Sequence, residues 1–318
     1  MASWGSKSEA DFQHSKAPIP REVAMKIEEA LEKYLVQLEA NGRSPSTIAQ
    51  YERHVRLFAH WIADVGHCGD LNQILNEDIA RFLTAPVART RPDGRPKKAT
   101  SMNILRSSIR GFFQYLHEAG TISQNPARLV RRAICETPPP RILTDAEAGK
   151  LMKVLAEADG FEARRDHALF HLMLATGIRL GSAIALDTDD VDLDTGRLHL
   201  RTCKRDREAV VYLGREICAH LAGYLEDLEP GALFTTRAGR RLSRRHVQRR
   251  FGWWVKAAGI RRPASLHALR HSFATSLYHR TGDIFLVQRA LNHRSVMSTM
   301  RYARASDDRV RDAIQAIQ

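Results

Sequence analysis

Two segments near the C-terminus, Leu266-His267-Ala268-Leu269-Arg270-His271 and Leu291-Asn292-His293-Arg294, are followed by a tyrosine, Tyr302. His267 and Arg270 stand three apart, so on a helix they lie one above the other and reach one small anion together. His271, four residues from His267, flanks that face. An arginine fork pairs with two phosphate oxygens at once, and a neighbouring imidazole adds a third hydrogen bond. Tyr302 lies nine residues beyond His293, room for one short helix and a turn that bring the phenol into the same pocket. His267 and His293, a guanidinium and a phenol gathered this way suit attack on a phosphodiester.

The rest of the chain agrees with a polyanionic partner. It has 318 residues, with 49 Lys and Arg against 36 Asp and Glu and a net charge of +13. A positive balance of this size favours nucleic acid. At about 100–200 residues per domain the length predicts two domains. No apolar run approaches the ~18 residues of a membrane span, and Met1 to Ser15 lacks an apolar signal core, so the expected location is cytosolic, at the nucleoid. Cys68, Cys135, Cys203 and Cys218 are scattered without a Cys-x-x-Cys pair, which predicts neither a zinc site nor a disulfide framework.

Residues 1–20 are polar and read as a flexible arm. Residues 21–119 read as a helical, DNA-binding bundle. Val23 to Glu39 is apolar at helical spacing and ends at Asn41-Gly42. Ser44-Pro45 opens a second helix as cap and first-turn proline, burying Ile48, Tyr51, Val55, Phe58 and Ile62. A third helix is expected near Asn76 to Leu83. A fourth, from about Ala99 to His117, turns Met102, Leu105, Ile109, Phe112 and Leu116 inward. Arg89, Arg91, Arg95, Lys97 and Lys98 precede that helix and Arg106 and Arg110 project from its other face, a surface suited to tracking phosphates. Residues 120–141, basic and ending in Pro138-Pro139-Pro140, read as a stiffened linker.

Residues 142–318 read as a mixed α/β domain with a C-terminal helix, so the whole chain is mainly α with a small antiparallel sheet. Thr144 and Glu147 form a capping box. The apolar helix from Asp166 to Ala175 stops at Thr176-Gly177, where glycine supplies a left-handed residue. His167 and His171 on that helix have metal-ligand spacing but no third ligand nearby, which favours packing or surface histidines. Val191 to Val211 reads as short strands around an Asp194-Thr195-Gly196 turn. A helix from Ser243 to Ala258 buries Val247, Phe251 and Val255, with Trp253 and Trp254 as packing residues. Arg244, Arg245, Arg249 and Arg250 line its other face, with Arg240 and Arg241 just before it, and suit a DNA groove. After Tyr302, Val310, Ala313, Ile314 and Ile317 form an apolar stripe that docks either on its own domain or on another subunit.

The pattern His267-x-x-Arg270-His271, Leu291-x-His293 and Tyr302 resembles the second signature box of the tyrosine site-specific recombinases, the phage integrase family. The first box is similar too: Ala175-Thr176-Gly177-Ile178-Arg179-Leu180, with Leu186 and Asp190-Val191-Asp192 following. The family carries a hairpin lysine, and setting Val211-Tyr212-Leu213 on its Val-Pro-Leu strand places Lys204 there. The resemblance implies a nucleophilic Tyr302, a phosphate clamp of Arg179 and Arg270 assisted by His267 and His293, and Lys204 as general acid. It also implies a 3′-phosphotyrosyl intermediate without ATP, metal or other cofactor, a Holliday junction, and a tetramer on duplex DNA. Two features depart from the family. Ser182 stands where an acidic residue is usual, and Asn292 replaces a common glycine, a position asparagine tolerates in left-handed geometry. A type IB topoisomerase-like or hairpin-forming resolvase, and a non-catalytic DNA-binding protein on the same scaffold, share the pattern.

Overall fold

A computed structural model describes residues 26–66, 71–135, 140–200, 209–293, 295–303, 314–315 and 317. The readings of the 1–20 arm, of Lys204 and of Val310 and Ala313 lie outside the described residues. The chain divides between Glu136 and Thr137 into two compact units, each with its own apolar core.

In the first unit α1 (Ile27–Ala40) and α2 (Pro45–Asp64) form a hairpin. The Ser44 hydroxyl accepts from Thr47 N, as the Ser-Pro start of α2 predicts. A short α3 (Asn76–Thr84), in which Asp78 accepts from Leu75 N, leads into the single turn α4 (Pro86–Arg89). The long α5 (Ala99–Glu118) then crosses α1 and α2. All five expected core positions of α5 are buried, while on α2 Ile48 and Tyr51 are only half-buried. Phe58, Phe82, Phe112 and Phe113 meet edge-on at 5.1–5.7 Å around the centre. Each such buried phenyl contributes roughly 3–5 kcal/mol relative to alanine.

The expected linker over 120–141 is not a free tether in its first part. Ile122, Ala127 and Val130 are buried in the first unit's core. The Asn103 amide closes the strap: Nδ2 donates to Ala133 O and Oδ1 accepts from Ala133 N, both at 2.8 Å.

The second unit begins with α6 (Asp145–Ala156), whose Thr144–Glu147 capping box is formed. Next come α7 (Phe161–Thr176) and the single turn α8 (Leu180–Ala183). The strands β1 (Val191–Asp192), β2 (Arg197–Leu200) and β3 (Ala209–Tyr212) make an antiparallel sheet in that order, with Leu198 opposite Val211. After these, α9 (Arg215–Leu225) packs on α7, and α10 (Arg244–Ala257) packs on α6. The chain continues through α11 (Leu266–Thr281), α12 (Ile284–Ala290) and α13 (Met300–Ala303).

A polar hub lies inside this core. Arg165 and Asp166 are 0% and 1% exposed and pair at 2.7 Å, and Asp166 Oδ2 also accepts from Arg250 Nε at 2.6 Å and Trp254 Nε1 at 2.8 Å. Glu162 also pairs with Arg250 at 3.0 Å, so two carboxylates match the two guanidiniums, the burial is tolerated, and the hub fixes α10 against α7. Trp254 is thus a packing residue as expected. Trp253 is not, being 55% exposed beneath the Arg250 guanidinium.

Candidate active site

The first turn of α11 decides the geometry. Leu266, Ala268 and Leu269 anchor it in the core, and the helix carries Arg270 inward with them, leaving it 5% exposed. A buried guanidinium needs acceptors. Nη1 donates to Gly177 O at 2.5 Å and Nη2 to Leu291 O at 2.8 Å. The first carbonyl lies just before Arg179 and the second just before His293, so one cation ties three segments together.

Both flanking turns use left-handed backbone. Gly177 ends α7 at φ 65°, and a β-carbon there would come within 2.4 Å of Phe273 Cδ1 and 2.9 Å of Leu291 Cδ2. Only glycine fits. Asn292 has φ 48° and is the one non-glycine residue with positive φ among the described residues, matching the expectation for its replacement of glycine.

Tyr302, on α13, is 1% exposed and packs on Ala274, Val287 and Leu291. Its phenol oxygen lies 2.8 Å from His271 Nδ1. His293 Nδ1 is 2.9 Å from Thr299 Oγ1, and its backbone N–H donates to Gln288 O. His267 is exposed, its ring 6.2 Å from that of His271, and it borders a cavity of about 270 Å³ with Ile178, Leu180, Gln248, Phe251 and Arg270. Arg179 caps α8 and is exposed, and its charge bears on Arg270, His293 and Tyr302. The second unit therefore brings Arg179, His267, Arg270, His293 and Tyr302 together, while Lys204 falls outside the described residues between β2 and β3. Two contributors were missed by sequence reasoning. His271 stood beside the box with no role given, and Arg301 directly precedes the tyrosine.

Burial raises the Tyr302 phenol above its ordinary pKa, and Arg270, Arg301 and Arg179 work in the opposite direction. Burial, then the charges of Arg301, His267 and Arg270, hold His271 down to about 4. His271 is therefore neutral at pH 7, and in the tautomer with its proton on Nε2 its Nδ1 accepts the phenolic hydrogen. Burial and the Arg270 charge likewise hold Arg270's neighbour His293 at about 4. Burial also depresses Arg270 itself to about 10, so it stays charged.

These shifts predict an acid limit to stability. His54 in the first unit is also lowered to about 4, chiefly by burial. Once unfolded, His54, His271 and His293 take up protons near 6.5, well before the folded chain does. Stability is then full above pH 6.5 and is lost as pH falls toward 4. The urea midpoint should hold between pH 8 and 7 and drop between pH 6.5 and 4.5. A midpoint unchanged down to pH 4.5 would contradict the burial assigned to these rings.

The basic residues sort into free and engaged. In the first unit Arg53, Arg56, Arg91, Lys97 and Lys98 border a groove of about 1270 Å³ between α2, α4 and α5. Lys97 also donates to Ala88 O at 2.8 Å. Arg95 and Arg110 are exposed, and Arg106 is half-buried against Asn103 Oδ1. In the second unit Arg240, Arg244, Arg245 and Arg249 are exposed, and the Arg244 guanidinium lies over Gly181, the residue just after the first box. Arg241 departs from the expected groove-facing role. Its guanidinium donates to Ile184 O, Leu186 O and Asp187 Oδ1, which closes the turn after α8 and leaves it little for a phosphate.

Comparison with known proteins agrees with the sequence resemblance. Residues 141–309 match the phage integrase family, and residues 31–120 match the phage integrase N-terminal SAM-like domain. The chain is 30% identical over 286 residues to the tyrosine recombinase XerC of Chromobacterium violaceum, covering 87% of this chain and 90% of that protein. It is 28% identical over 280 residues to the tyrosine recombinase XerD of Listeria monocytogenes serotype 4b, covering 85% and 92%. Among solved structures it is similar in fold to the XerH site-specific recombinase bound to difH substrate, with TM-score 0.68, 23% identity and coverage of 93% and 86%. It is similarly like a lambda integrase tetramer bound to a Holliday junction, with TM-score 0.69, 22% identity and coverage of 88% and 77%. Two matched segments thus fall one in each compact unit, and with the arginine-bridged boxes inside the second of them the chain belongs to the phage integrase family.

Proposed function

We propose that this chain is a site-specific DNA recombinase that cuts and rejoins duplex DNA through a 3′-phosphotyrosyl intermediate. The observation that carries this reading is the Tyr302 phenol, held 2.8 Å from the neutral His271 and beside the Arg270 guanidinium that ties both boxes. Tyr302 Oη attacks phosphorus, the P–O5′ bond breaks, and the phenolic proton passes to His271. Arg179 and Arg270, with His267 and His293, stabilise charge on the non-bridging oxygens. Lys204 gives a proton to the departing 5′-oxygen. Because the bond energy is kept in the covalent link, a second 5′-hydroxyl reverses the step. Repeating it on paired duplexes yields a Holliday junction within a tetramer, an assembly supported by the lambda integrase structure named above. The groove of the first unit and the exposed arginines of α10 would follow the DNA backbone. The protein would work in the cytoplasm, on nucleoid DNA.

The target sequence can be found by the test itself. A pool of centrally nicked duplexes with randomised sequence is incubated with the full chain, denatured, and searched for covalently held DNA. The expected result is a recovered common sequence joined to Tyr302, identified by peptide mass. A pool that is bound but yields no covalent species would sink the reading.

A further inference from the structure

The reading of His167 and His171 as a pair lacking a third ligand does not survive in three dimensions. His220, from α9, packs against them at a tilt: its ring centroid is 4.2 Å from that of His167 and 5.0 Å from that of His171. His171 Nδ1 and His220 Nδ1 are 2.7 Å apart. One ring nitrogen from each of the three residues lies within 4.8 Å of the other two. We propose that His167, His171 and His220 form a binding site for one divalent transition-metal ion of the zinc class, which clips α7 to α9.

The arrangement is two facing pairs. His167 and His171 are four apart on α7, and Glu216 and His220 are four apart on α9, so each pair lies on one face of its helix. The Glu216 carboxylate, 3.9 Å from His171 Nε2, lies on the opposite nitrogen of that ring and would orient the imidazole from behind. Three imidazoles with a water in the fourth position make a tetrahedral donor set suited to zinc, and to cobalt as its spectroscopic substitute. Tetrahedral bonds of about 2.0–2.1 Å place two donors about 3.3 Å apart. The two Nδ1 atoms therefore need to separate by only about 0.6 Å to admit the ion.

The bland alternative is a neutral ring stack filling a gap between helices. Apolar side chains would fill such a gap without desolvating six ring nitrogens. Burial lowers all three rings, His167 to about 4, so each is neutral and carries a single hydrogen. The hydrogen shared between His171 Nδ1 and His220 Nδ1 is the one the ion replaces, moving to an outer ring nitrogen or to solvent. The ion would act on the framework: α7 ends at Gly177 beside Arg179, and α9 follows β3. The cleavage chemistry does not pass through it.

The test uses the full chain without a polyhistidine tag, stripped by a chelator and titrated with Co²⁺ and then Zn²⁺. The expected result is one ion per chain, an intense visible Co²⁺ absorption typical of tetrahedral sites, and its loss on adding Zn²⁺. Zn²⁺ at about a hundredfold above its Kd should raise the Tm by roughly 5–10 °C. His171→Gln and His220→Gln should each weaken binding at least about tenfold, whereas His279→Gln should not. Zinc-edge X-ray absorption on the wild-type chain reads the ligands without any variant and should show imidazole neighbours. No Co²⁺ band, an affinity indifferent to both variants, or a zinc spectrum without imidazole would each overturn the site.

Discussion

Tyr302→Phe is expected to abolish covalent attachment to DNA, by a factor of about 10⁴ or more, because the variant removes the attacking oxygen and leaves everything else. The phenyl ring keeps the packing on Ala274, Val287 and Leu291. Only the hydrogen bond to His271 is lost, a cost of about 1 kcal/mol to folding. DNA binding, measured by gel shift, should stay within about twofold of wild type, since neither the groove of the first unit nor the arginines of α10 is altered. The two measurements separate chemistry from recognition. Covalent DNA persisting in the variant would mean that another side chain is the nucleophile.

Arg270→Lys should show a double penalty that distinguishes it from its partner arginine. A lysine preserves the charge but presents a point donor, so it cannot serve Gly177 O and Leu291 O together while facing a phosphate. Cleavage should fall about 10²–10³-fold. Leaving at least one buried carbonyl unpaired should also cost about 1–3 kcal/mol of stability, read from the urea midpoint. Arg179→Lys should slow cleavage too, but Arg179 is exposed, and its folding stability should stay within about 0.5 kcal/mol of wild type. Equal stability in both variants would refute the bridging role given to Arg270.

Local rules explain what could be read from the chain beforehand. The apolar spacing of α5 named its five core positions because the helical period is fixed by backbone geometry. Gly177 and Asn292 announced left-handed turns because few other residues accept that backbone. The box residues were legible because their order along the chain is itself the pattern. What escaped notice depends on partners distant in sequence. His220 comes from another helix, 49 positions from His171, and no local spacing points to it. Arg241 and Arg250 look like their neighbours in composition, yet Asp187 and Asp166 claim them. Between 120 and 133 the abundance of arginine hid the three apolar residues that bind this strap to the first core.

A phenol with only 1% of its surface open cannot be approached by phosphorus along the line of an in-line displacement. Under the proposed function the packing of Ala274, Val287 and Leu291 around this ring has to open before any strand is nicked, so those contacts set a threshold for cleavage.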